Sequence, residues 1–111
     1  MQIRKTYLNT KPDLLFSEVR DFIVKQGTRL DENRLETVAL STDSTGFITR
    51  GTLTFNDSAG KQCVRAHILG VAVGETKLMI DIDDALFSAA RTKGMMDDID
   101  FIFGSYEVKP R

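Results

Sequence analysis

The chain is poor in the residues that most often announce a chemistry. Its 111 residues include no tryptophan, one cysteine, one histidine and two prolines. With Cys63 alone, no intramolecular disulfide can form, and a reducing compartment is the expected setting. One Cys and one His cannot make a structural zinc site. The longest uninterrupted apolar runs, such as Val71–Val73, are far short of the ~20 residues that cross a bilayer. The opening segment, Met1-Gln-Ile-Arg-Lys, has no apolar stretch of the signal-peptide kind, so the cytoplasm is the expected location. GxGxxG, GxxxxGK[ST] and GxSxG are all missing. The formal net charge of −1 excludes a strong overall field for steering polyanions.

What the chain does have is composition for one folded domain covering residues 1–111. Apolar residues make up 41% and charged residues 28%. Both values are ordinary for a globular protein and exclude global disorder. Charge is unevenly spread. Residues 1–35 carry seven Lys/Arg against five Asp/Glu, and residues 75–111 carry five against eight. The acidic excess sits in Asp81–Asp83–Asp84 and Asp97–Asp98–Asp100.

The strongest pattern is a period-two alternation. Val64, Ala66 and Ile68 alternate with Cys63, Arg65 and His67, and Leu78, Ile80 and Ile82 alternate with Lys77, Met79 and Asp81. Successive side chains on a strand point to opposite faces, so each run buries one face and leaves the other polar. This is the pattern of an antiparallel sheet covered on one side.

Residues 2–9 read as an opening strand. Pro12 and Asp13 suit a helix start. Leu15, Val19, Phe22 and Ile23 then recur at helical spacing, and Gly27 supplies a C-terminal stop. Residues 28–35 are polar and read as a solvated loop. Strands are expected at 36–42, 47–55, 62–73 and 76–83. The turns between them fall at Asp43–Gly46, Asn56–Gly60 and Gly74-Glu75. Gly51 and Gly70 interrupt their strands and suggest bulges or bends. Asp83 or Asp84 suits the cap of a second helix beginning near Ala85. Two continuations fit residues 95–108. One is a helix kinked after Gly94; the other is a short helix followed by a terminal strand.

These registers put Val38, Leu40, Phe47, Leu53, Phe55, Val64, Ala66, Ile68, Leu78, Ile80 and Ile82 on a core face. The polar face gathers Ile48, Arg50, Thr52, Thr54, Cys63, Arg65, His67, Lys77, Met79 and Asp81. No catalytic set emerges from it. Cys63 and His67 lie four residues apart on one strand, about 13 Å, beyond hydrogen-bond reach. Asp81, Asp83 and Asp84 lack the spacing of a calcium loop and read as a strand end and helix cap. Asp97, Asp98 and Asp100 read as a solvated helix face. No aromatic residue stands on the polar face for base stacking, which argues against nucleic acid. No catalytic residue, metal ligand or cofactor site is therefore expected.

The fold class is α+β. A curved antiparallel sheet of about five strands has one N-terminal and one C-terminal helix packed on one face. The order strand–helix–strands–helix is similar in topology to helix-grip or START-like folds. It is also similar to small acidic secretion chaperones, although their helix-first order differs from the opening strand here. The helix-grip resemblance implies an apolar ligand held between sheet and C-terminal helix, but 111 residues leave little spare volume. Two functional expectations follow. The first is a non-enzymatic interaction module, binding a protein partner or forming a weak homodimer through the sheet face or an edge strand. Its candidate face is Arg50, Arg65, His67, Lys77 and Asp81. The second is a small apolar ligand in a groove lined by Phe16, Phe22, Met95, Ile99 and Phe103.

Overall fold

The structure is a computed structural model describing residues 1–39, 47–71 and 74–108. Strand β1 (Gln2–Leu8) leads into helix α1 (Pro12–Lys25). Four strands follow: β2 (Arg29–Ala39), β3 (Phe47–Asn56), β4 (Gln62–Val71) and β5 (Glu75–Ile82). Helix α2 (Ala89–Phe103) and a 3-10 turn (Gly104–Tyr106) end the described chain. The five strands form one antiparallel sheet in the order β1-β5-β4-β3-β2. Both helices pack on one face, giving the expected two-layer α+β architecture.

Local chemistry explains the elements. Pro12 occupies the first turn of α1 and Asp13 complements its positive end. Gly27 follows the helix with φ 93°, the left-handed stop that glycine adopts without strain. At the β3–β4 turn, the Asp57 carboxylate accepts from the Ala59 and Lys61 backbone amides at 3.0 and 2.9 Å. The alternation in β4 and β5 behaves as read: Val64, Ala66, Ile68, Leu78, Ile80 and Ile82 are all buried. Leu15, Phe16, Val19 and Ile23 from α1, and Met95, Ile99 and Phe103 from α2, close over them. Phe22 is only half-buried and packs against the edge of this cluster.

Several expectations are corrected. Residues 29–35 belong to β2 and are not a loop; their charges alternate on an exposed strand. Val38 pairs with Ile48, so it stands on the face away from the helices and is 45% exposed. Phe47 keeps core parity but lies at the far end of β3 and is 50% exposed. Leu40 and the Asp43–Gly46 turn lie outside the described residues. Cys63 is buried, not on the polar face. It sits beside the register shift at Phe55/Asn56, and its thiol donates to the Phe55 carbonyl at 3.5 Å. Helix α2 starts four residues later than expected. Its cap is Ser88, whose hydroxyl accepts from the Arg91 amide, while Asp83 closes the preceding turn by accepting from the Ala85 amide. Gly94 lies inside α2 without ending it. The glycine gives room for the Gln26 side chain between the helices. Residues 95–103 are thus helical, and the terminal part is a 3-10 turn with one bridge, Tyr7 to Glu107.

Gly51 and Gly70 do not mark bulges; the register shifts fall at Leu30/Asn33 and Phe55/Asn56. Instead, the Phe16 ring lies on the backbone of Gly51 and the Pro12 ring on that of Gly70. A Cβ at either position would collide with a ring held by α1. Gly51→Ala and Gly70→Ala should each cost about 1–3 kcal/mol, because overpacking lifts α1 from the sheet. Denaturant melts of the two variants check this. A change below ~0.5 kcal/mol in both would mean that α1 is not seated as described.

Tyr7 is fully buried, its ring 5.9 Å from that of Phe103, and its hydroxyl has no hydrogen-bond partner among the described residues. Burial, with smaller contributions from Glu107 and Asp100, pushes its pKa well above the usual tyrosine range. A raised folded-state pKa favours the neutral phenol. The associated stability is complete below the unfolded value of about 10 and is lost as pH rises from there toward the folded value. Tyr7→Phe should therefore leave stability at neutral pH unchanged or raise it by up to ~1–2 kcal/mol, and should flatten the decline at alkaline pH. Melts at neutral and alkaline pH test both statements. A marked loss at neutral pH would show that the hydroxyl is bonded after all.

Candidate functional site

Among the described residues, one face of the sheet carries no helix. Its side chains come from alternate positions of every strand, and the register sorts them into rows. Arg4, Met79, His67, Thr52 and Arg34 lie across the strands in one row. The adjoining row is Thr6, Lys77, Leu69, Arg50 and Glu36. On the other side lie Gln2, Asp81, Arg65 and Thr54. The five residues expected to form a binding face are thus on one surface, in three neighbouring rows.

Sequence reasoning missed Arg4, Leu69, Arg34, Glu32 and Glu36. The signal for Arg4 was its alternation with Ile3 in the opening strand. Glu32 and Arg34 were hidden by reading residues 28–35 as a loop, and Glu36 by the face given to the expected strand 36–42, which put its parity with Val38 and Leu40 on the core.

The charges on this face are not all compensated. Arg34 is held by Glu32 at 2.6 Å and by Glu36 at 3.4 Å, so these side chains satisfy one another. Asp81 accepts from the Gln2 side-chain amide at 2.9 Å and faces Arg65 across β4–β5. Lys77 has only a loose 3.9 Å pairing with Glu75. Among the described residues, neither Arg50 nor Arg65 has an ion pair. Arg50 and Lys77 flank Leu69 in one row, about 10 Å apart at the usual strand spacing. Leu69 is exposed, so this row offers an apolar contact between two cations.

Two hollows meet at His67 and Leu69. One, of about 480 Å³, lies over β2, β3 and β4, with Arg34, Arg50, Arg65 and the carboxylates of Glu32 and Glu36 in its lining. The other, of about 460 Å³, lies over β1, β4 and β5. Arg4, Lys5, Lys77 and Met79 contribute to it, and no carboxylate is among its lining residues.

Among the described residues, His67 has no hydrogen bond to a hydroxyl or thiol, and no group of three or more His, Cys, Asp or Glu side chains is placed to hold a metal ion. Cys63 lies beneath the surface, and burial raises its thiol pKa, away from a nucleophilic thiolate.

The residues expected to line an apolar groove are elsewhere. Phe16, Met95, Ile99 and Phe103 are at most 4% exposed and fill the layer between helices and sheet. Asp97 and Asp98 lie on α2, paired with Lys93 at 2.7 Å and Lys25 at 3.3 Å. No helix among the described residues is long and apolar enough to cross a membrane. No protein-family model matches the chain, and no curated protein matches it significantly.

Proposed function

We propose that this protein is a non-enzymatic interaction module whose open sheet face receives an acidic protein segment bearing an apolar side chain. The observation that carries this reading is the row Lys77–Leu69–Arg50: two cations either side of an exposed leucine, at the junction of two hollows. A carboxylate-bearing segment would find charge-assisted hydrogen bonds from Arg50 and Lys77 and an apolar seat on Leu69 and Met79. Arg65 and Arg4 extend the same charge toward both ends of the hollows. Arginine suits this role because its planar fork matches a carboxylate in two hydrogen bonds. Complementarity of this kind gives orientation and association rate more than raw affinity, which suits a reversible partner.

The reading is tested with a synthetic peptide of alternating Glu and Leu, titrated into the labelled protein and followed by backbone amide shifts. The expected shifts cluster on β3, β4 and β5 around Arg50, Leu69 and Lys77. Replacing Arg50→Glu and Lys77→Glu together should weaken binding on the order of tenfold or more, and added salt should weaken it further. Shifts spread over the helix side, or binding indifferent to the double replacement, would overturn the proposal.

A further inference from the structure

The two edges of the sheet are treated differently. The β1 edge is partly occupied: the Val108 amide donates to the Thr6 carbonyl at 2.8 Å, and Tyr7 bridges to Glu107. Among the described residues, the β2 edge has no such cover. Among the described residues, no backbone group outside β3 hydrogen-bonds to it, and every residue from Asn33 to Ala39 is exposed. An edge of this length is a template for another strand unless something blocks it. The register shift at Leu30/Asn33 disturbs only its beginning. Beyond that point β2 carries no lysine or proline, and its helix-side positions, Asn33, Leu35, Thr37 and Ala39, carry no charge.

We propose that β2 pairs antiparallel with β2 of a second copy of this chain, about a two-fold axis through Leu35. The register follows from charge. An axis normal to the sheet keeps like faces together, so paired residue numbers must share parity. With Leu35 opposite its own copy, Arg34 faces Glu36 of the second copy and Glu36 faces Arg34. Opposite charges then meet twice on the open face, and the two exposed leucines meet on the helix side. Shifting the axis by one residue either way places Arg34 against its own copy, or Glu36 against its own copy. Like charges directly opposite are destabilising. The Arg34-Leu35-Glu36 triplet is thus self-complementary with the axis at Leu35; an axis at Asn33 would set Arg34 against Glu32, but across the register shift at Leu30/Asn33.

This deepens the interaction-module reading by naming a partner for the edge. Its test is separate from that of the open face, because neither Arg50 nor Lys77 takes part.

Sedimentation velocity from micromolar to near-millimolar protein at low salt is expected to show a reversible dimer. R34E and E36R should each weaken it on the order of tenfold or more. An equimolar mixture of R34E with E36R should restore association, because one variant is acidic at both positions and the other basic at both. The double variant R34E/E36R should restore it too. Arg34 and Glu36 are solvent-exposed, so the variants should keep the fold, which circular dichroism checks. In the unmodified protein, amide exchange at residues 33–37 should slow as concentration rises. A strict monomer over the whole range overturns the proposal. So does a dimer indifferent to the single reversals, or a mixture that fails to associate.

Discussion

Helix α1 has to carry the chain from one edge of the sheet to the other, because β1 and β2 are the two edges and nothing else connects them. Side chains on both surfaces normally hold a helix away from the sheet it crosses. Here two strand positions have no side chain where α1 passes: Pro12 presses on Gly70 and Phe16 on Gly51. The close approach lets Leu15, Phe16, Val19 and Ile23 reach the same apolar layer as Ile68, Leu78 and Ile80. Much else depends on this seat. It buries one face of the sheet, leaves space beside α1 for α2, and leaves the other face with no covering helix among the described residues.

An uncovered face meets water, and on this one the charges compensate unequally. The carboxylates gather toward β2 and at Asp81, where each is satisfied by a neighbour. The cations on β3 and β4 are left without equivalent partners among the described residues. Surface ion pairs contribute little to stability, so an uncompensated arginine costs the fold little and remains available for recognition. On the proposed reading, the exposed Leu69 among these cations is what would set the face apart from a solvated one, since a lone charge pattern would give no desolvated contact.

The legible part of this architecture is the part with one physical reason behind each residue. In β4 and β5 burial alone decides the pattern, so period two reads directly as faces, and the α+β class and most of the sheet core follow. It fails where a second requirement intrudes. Charges alternating in Arg29–Glu36 serve an exposed edge, and an exposed edge has no apolar stripe to betray a strand. Cys63 alternates correctly on paper, but the shift at Phe55/Asn56 turns it inward. Gly51 and Gly70 read as local irregularities because the rings that need them, Phe16 and Pro12, are distant in sequence. Gly94 reads as a helix end, yet tertiary packing against Gln26 holds the helix through it. Part of the candidate face was visible residue by residue: Arg50, Arg65, His67, Lys77 and Asp81 were, whereas Arg4, Arg34, Glu36 and Leu69 were not. Its rows were not, because they are a property of register between strands.

In the proposed dimer, register also connects the edge to the face. With Glu36 of one copy opposite Arg34 of the next, the row Lys77–Leu69–Arg50–Glu36 continues into Arg34–Thr52–His67–Met79–Arg4 of the second copy. Two open faces thereby become one surface, with the compensated Arg34 and Glu36 side chains at its centre and uncompensated cations on both flanks. A partner that carries two acidic segments could then engage both flanks, and the second contact would be intramolecular, raising avidity without any new kind of contact. The compensated centre matters for this arrangement. Were Arg34 unpaired, joining two cationic faces would bring like charges together across β2, and the strand that invites association would oppose it. Glu32 and Glu36 remove that repulsion in the single copy, so the same carboxylates that neutralise the edge make it compatible with a cationic face beside it.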